Sequence, residues 1–176
     1  MEERVEKDAA GHVLRRYHLT GEQLDGEAES YDEQGWLAQR ANFRDGLLDG
    51  ELVQYDAHGA PVAILHYAAG KLEGESLFFD RGQPQLRMFH RNGLQHGETT
   101  VYGPTGFPTA KSEYRAGKLE GVSSWYRPDG SLLRTAELVD GVQEGEAVEY
   151  DERGRETQRV LFRAGEPVPP ARGARR

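Results

Sequence analysis

The hexapeptide AGKLEG stands at residues 69–74 and again at 116–121. Two glycines around a lysine suggest either a loop that cradles phosphate or a structural module used twice. The phosphate reading fails on its chemistry. A P-loop places its lysine after the second glycine, follows it with Ser or Thr, and opens a helix whose free amides bind the anion. Here Lys71 and Lys118 follow the first glycine, and Glu73 and Glu120 set a carboxylate inside the loop, where it repels a phosphate.

Read outward, the hexapeptide belongs to a period. Tyr31, Tyr55, Phe79, Tyr102, Tyr126 and Tyr150 are spaced 24, 24, 23, 24 and 24 residues apart. Three glycine columns keep phase with them, represented by Gly59, Gly70 and Gly74 in one repeat and by Gly106, Gly117 and Gly121 two repeats on. A fixed period of this length marks a repeat protein. Segments such as YDEQG (31–35), YDAHG (55–59) and YRPDG (126–130) read as turns, with Asp or Pro early and a glycine last to take the left-handed backbone. They predict hairpin loops built on a type I turn with a glycine bulge. RDG (44–46), RNG (91–93) and VDG (139–141) mark a second turn half a period later. Two turns per period leave two strands of about seven or eight residues and no room for a helix.

Alternation agrees. Leu37, Gln39, Ala41 and Phe43 form one side of a strand, as do Pro61, Ala63, Leu65 and Tyr67, and Pro84, Leu86, Met88 and His90. Arg16, Arg40, Arg87, Lys111 and Arg159 fall on the other side, with Ile64 and Thr135 as exceptions. One apolar and one polar side describe an antiparallel sheet covered on one face only. The expected fold is therefore all-β: an elongated single-layer antiparallel sheet of six to seven tandem 24-residue β-hairpin repeats. Residues 1–6 are expected as a lead-in, 7–166 as a single array, and 167–176 as a disordered Pro/Arg tail.

The recurring YxxxG…Y/FxxGxxxGE…Y pattern resembles the MORN repeat, in the variant found in YwqK-type bacterial antitoxin and immunity proteins, and it covers nearly the whole chain. Leu19, His90 and Leu138 depart from it by replacing the strand aromatic, Lys7 replaces the first Tyr, and Val122 replaces the Glu after glycine. The resemblance implies an open sheet of hairpins that binds a protein, with a cognate toxin as that protein and the cytoplasm as its compartment.

Composition supports a binding role. The chain has 176 residues, no cysteine and a net charge of −8, which rules out disulfides and thiolate chemistry and opposes nonspecific contact with nucleic acid or anionic lipid. No apolar run approaches the roughly 18 residues that span a bilayer. The charged start, MEERVEKDAAGHV, lacks the apolar core of a signal peptide. The six histidines form no HxH or HExxH pattern, and His90, in a column of aromatics, reads as a packed side chain. No serine sits in a GxSxG elbow, and the Glu27, Glu51, Glu75, Glu98 and Glu146 column reads as a ladder repeating with the fold. No catalytic residue, metal or cofactor is expected, and the chain is expected not to be an enzyme. Trp36 and Trp125 read as packed residues, Trp125 on the side opposite Tyr126.

An apolar face without a cover marks a binding surface. If Tyr55 pairs with Pro61, then Val53 lies by Ala63 and Glu51 by Leu65, and the aromatic and glutamate columns share that face. The expected partner surface is Tyr55, Phe79, Tyr102, Tyr67, Leu65 and Met88, bordered by Glu51, Glu75 and Glu98 and suited to a basic protein. A general scaffold role and association with a membrane surface are the alternatives, the latter opposed by the net charge.

Overall fold

The computed structural model describes residues 1–169. The expected tail lies outside the described residues from 170 onward. The chain forms two compact units, Met1–Gln95 and a second beginning at His96. Among the described residues every regular element is a β-strand.

The first unit holds β1 (Glu2–Lys7), β2 (Val13–Thr20), β3 (Gln23–Tyr31), β4 (Leu37–Arg44), β5 (Leu47–Tyr55), β6 (Pro61–Ala68), β7 (Lys71–Asp80), β8 (Gln83–Arg91) and β9 (Leu94–Gln95). Each pairs antiparallel with the next. The segment expected as a lead-in is almost entirely β1. The second unit holds β10 (Gly97–Tyr102), β11 (Pro108–Arg115), β12 (Lys118–Leu119), β13 (Gly121–Tyr126), β14 (Leu132–Val139), β15 (Val142–Tyr150), β16 (Glu156–Arg163) and β17 (Glu166–Pro167). There β11 pairs with both β12 and β13, and the remaining strands pair in succession.

The two predicted turns are present, each with its own chemistry. In the first, the Asp56 N–H donates to the Ala60 carbonyl at 2.8 Å and the Gly59 N–H to the Asp56 carbonyl at 3.0 Å. The Asp56 carboxylate closes the loop by accepting the N–H groups of His58 and Ala60 at 2.8 and 2.9 Å. Asp32 and Asp151 do the same in their repeats. The second turn is a two-residue loop with both φ values positive, as in Ala69 (47°) and Gly70 (79°), which is the type I′ geometry that matches strand twist. In the fourth repeat a two-residue loop, Arg81–Gly82 between the paired Asp80 and Gln83, replaces the longer first turn. That one missing residue is why the aromatic spacing drops there from 24 to 23.

The third glycine column forms β-bulges. Between the pairs Leu65↔Ser76 and Tyr67↔Leu72, three residues (Glu73, Gly74 and Glu75) stand against His66 alone. At the equivalent Gly50, φ is +112° and an added Cβ would lie 3.2 Å from that of Asn42, so both backbone and space demand glycine. The opposed side chain returns a bond to the bulge: Asn42 Nδ2 donates to the Glu51 carbonyl at 3.3 Å, and the His66 ring nitrogen Nδ1 to that of Glu75 at 2.8 Å.

Each letter of AGKLEG has its own structural role. The Ala69 N–H donates to the Asp49 carboxylate at 3.1 Å and the Gly70 N–H to the Leu48 carbonyl at 2.8 Å, so the turn is tied to the preceding hairpin. Lys71 is exposed, and Leu72 pairs with Tyr67. Glu73 accepts the Asn92 N–H of the following turn at 2.7 Å, and Gly74 is the bulge. In the second copy Glu120 accepts from Asp140 at 3.1 Å, and Glu144 likewise takes the Ala164 N–H at 2.6 Å. The glutamate that excludes a phosphate is a cap for the next repeat.

Two rows of cross-strand partners define the faces of the first unit, since paired residues share a side. One row runs Tyr17, Ala28, Ala41, Leu52, Leu65, Ser76, Met88. The other runs Arg16, Glu29, Arg40, Val53, Ile64, Leu77, Arg87. The core is thin. Ala41, Leu52, Ala63 and Ser76 are buried on the first face and Val53 on the second. In the second unit Ser123 and Ser112 share a hydrogen bond of 3.0 Å, and Ala136 and Ala147 continue that row, each buried.

Candidate partner-binding faces

The face bearing the Arg16 row is electrostatically self-contained. There Arg40 lies 3.9 Å from Glu27 and 3.5 Å from Glu51, and Arg87 lies 2.5 Å from Glu75. Within the second unit, taken by itself, Lys111 lies 3.2 Å from Glu98. Arg159 is paired with Glu146 and Glu156. The basic residues occupy the polar face as the alternation predicts, but the glutamates expected to border the apolar strip stand beside them.

The Tyr31 hydroxyl donates to Glu29 at 2.6 Å, two residues back on the same strand, which fixes the tyrosine column on this charged face. That bond to a carboxylate holds the Tyr31 phenol above its ordinary pKa. Tyr55 and Phe79 follow by the same alternation from Glu51 and Glu75, and within the second unit Tyr102 shares a side with Glu98 in the same way. Leu65, Tyr67 and Met88 lie on the opposite face, in or alternating with the Ala28 row.

The single expected surface is therefore corrected to two. Tyr55 pairs with Pro61 as anticipated, but Gln54 pairs with Ala63, leaving Val62 as an inserted residue. The same insertion occurs at Gln85 opposite Phe78 and Phe79, and at Thr109 opposite Val101 and Tyr102. Val53 consequently stands against Ile64 and Glu51 against His66, instead of Ala63 and Leu65. A one-residue slip moves a whole strand's pattern to the other side of its partner.

The Ala28 face carries a groove that alternation alone did not disclose. In the first unit its walls are Tyr17, Leu19, Leu24 and Phe43, and its floor is Ala28 and Ala41. Small residues in the floor and large ones beside it make the concavity: Leu19 pairs with Leu24, and Phe43 with Leu48. Arg15, Ser30 and Gln39 add polar character, and Glu6, Glu22 and Glu29 make the lining acidic as well. Further along this face His90 is half-buried and shares a 3.0 Å hydrogen bond with Ser76, as its place in an aromatic column suggests. Burial holds its imidazole below the ordinary pKa. In the second unit the Arg134 guanidinium sits 5.4 Å from the Trp125 ring, whereas Trp36 in the first unit is 59% exposed at a turn instead of packed. No group of three His, Asp or Glu converges at metal-binding distance among the described residues.

The groove is built from units of one kind, strand, turn, strand, closed by a type I′ loop. Residues 24–45 match the MORN repeat variant family. The matched stretch is one such unit, from Leu24 in β3 to Asp45 in the turn after β4. The MORN-type pairing, with its bulge glycine and paired turns, recurs in the units that follow, which supports reading the chain as a MORN-repeat protein. No curated protein matches the chain.

Proposed function

We propose that the protein is a non-enzymatic binding module whose partner is another protein, held on the Ala28 face of the first unit. The observation that carries this reading is the groove between Tyr17, Leu24 and Phe43, a concavity with apolar walls and a partly acidic lining that no other element among the described residues covers. Aromatic and aliphatic walls around a small-residue floor accept an inserted apolar side chain, the usual anchor of a protein interface. The charged face is the weaker candidate because its glutamates are already engaged by Arg40, Arg87 and Lys111.

Among protein partners, a bacterial toxin neutralised in the cytoplasm is the reading that the YwqK-type resemblance favours. A photo-crosslinking residue at position 41, in the groove, and another at position 64, on the charged face, test the assignment in the producing cell. Crosslinking to one protein from position 41 alone supports the groove; crosslinking from position 64 alone overturns it. The toxin reading is tested by co-expressing that protein with and without this chain. Growth arrest relieved by the native chain but not by Phe43→Asp supports it, and absence of toxicity overturns it while leaving the groove intact.

A further inference from the structure

We propose that β1 is a self-pairing edge: two copies of the chain join through antiparallel β1–β1 contact, with Val5 of one copy opposite Val5 of the other. Among the pairings described, β1 bonds only to β2, and all six of its residues are exposed, Val5 at 45%. Among the described residues no strand pairs with its outer side, which presents a row of backbone donors and acceptors.

The sequence decides which partner that row accepts. From residue 3 to residue 7 it reads Glu, Arg, Val, Glu, Lys, that is, negative, positive, neutral, negative, positive. An antiparallel copy centred on Val5 places Glu3 opposite Lys7 and Arg4 opposite Glu6, each twice by symmetry. Within residues 3–7 every charged pair is then of opposite sign and the one uncharged pair is apolar, while Glu2 falls opposite Asp8, which lies beyond the end of β1. Neighbouring registers lose this. Centring on Arg4 sets Arg4 against Arg4 and Glu2 against Glu6. A shift of half a residue toward the N-terminus sets Glu3 against Glu6, and the opposite half-shift sets Arg4 against Lys7. A parallel copy in register sets every charge against its like. Opposite charges across strands stabilise the pair and like charges oppose it, so one register is selected.

Existing contacts leave the residues available. The Arg4 guanidinium meets Glu2 on its own strand at 3.0 Å with both side chains more than half exposed, Glu3 reaches Arg16 at 3.4 Å, and Glu6 accepts the Tyr17 hydroxyl at 2.9 Å. Such exposed pairs yield readily to a second partner. Because the symmetry axis passes through a residue, the Ala28 face of one copy adjoins the same face of the other.

Sedimentation of the full-length chain over a range of concentrations tests the proposal, with circular dichroism of each variant confirming the fold. A reversible monomer–dimer equilibrium is expected, weakened at moderate salt. Arg4→Glu alone and Glu6→Arg alone should each weaken the dimer about tenfold or more, since two cross-strand pairs turn repulsive. The double variant Arg4→Glu/Glu6→Arg should restore it. A chain that stays monomeric throughout, a dimer indifferent to Arg4→Glu, or a double variant no better than the singles would each overturn the assignment. A dimer indifferent to Arg4→Glu would leave the groove reading untouched, because Arg4 is not among the residues that line the groove.

Discussion

Ala69, Ala116 and Ala164 occupy the first position of a type I′ turn with φ values of 47°, 51° and 50°, a region that costs an L-residue with a Cβ more than it costs asparagine. The equivalent Asn92 already has the favoured residue at φ 52°. Ala116→Asn should therefore stabilise the protein by about 0.5–1 kcal/mol in urea unfolding. A loss of stability would show that the turn is not held in this geometry. The bulge glycines should be less forgiving than the loop glycines. Gly59 has open space around it, whereas a side chain at Gly50 meets Asn42. Gly59→Ala should cost about 1–2 kcal/mol from backbone strain alone, and Gly50→Ala more. Equal losses at the two sites would argue against the bulge. The sequence shows that a glycine column exists at this position; it does not show why, because the reason is a cross-strand neighbour eight residues away.

At the scale of the hairpin, legibility divides along the same line. Turn residues speak for themselves: Asp at the start and Gly at the end of YDAHG foretell the closed loop that Asp56 makes. The residue inserted at Val62 has no signature of its own, since a strand with or without it alternates identically on paper. That single uncertainty carried Tyr55 and Glu51 to the wrong side of Leu65. It also hid the ion pairs, because Glu51 and Arg40 met only once the register was known. The loops give a discriminating test. Asp56 closes its loop with two backbone bonds, while Asp80 flanks a two-residue turn and its carboxylate lies 3.8 Å from the Arg81 side chain. Asp56→Ala should lower Tm by about 2–4 °C, and Asp80→Ala should leave it nearly unchanged. Similar losses from both would mean the two loops are not built differently.

Over the whole molecule, acid should act in two stages. Burial depresses the His90 imidazole below its ordinary 6.5, so the unfolded chain binds the extra proton and stability falls as pH drops from 6.5 toward the folded value. A hydrogen bond from His12 depresses Asp8, and backbone N–H groups of Ala60, Ser131 and Arg155 depress Asp56, Asp129 and Asp151 below 3.8. These carboxylates contribute stability that is fully present above 3.8 and is lost as pH falls through their folded values. Tm measured from pH 8 to pH 3 should show a shallow decline near pH 6 and a steeper one below pH 4. His90→Phe should remove only the upper decline. A flat profile above pH 4 in the native chain would contradict the burial of that imidazole.

The caps that tie each type I′ turn to the hairpin before it have a consequence for how such a chain changes its length over generations. Asp25 stands in β3 where Asp49 stands in β5, and Leu24 where Leu48 stands. Loss of residues 45–68 would join Arg44 to Ala69 and present the Ala69–Gly70 amides to Asp25 and Leu24, acceptors of the kind they already use. Unequal recombination between repeats that share a period removes or adds material in such blocks. Each whole block leaves a junction with its donors and acceptors matched, whereas a partial one strands them. A variant lacking 45–68 should fold to the same strand-dominated circular dichroism spectrum, and one lacking 45–62 should not. Recombination then becomes the means by which a lineage lengthens or shortens its binding surface without redesigning a single contact.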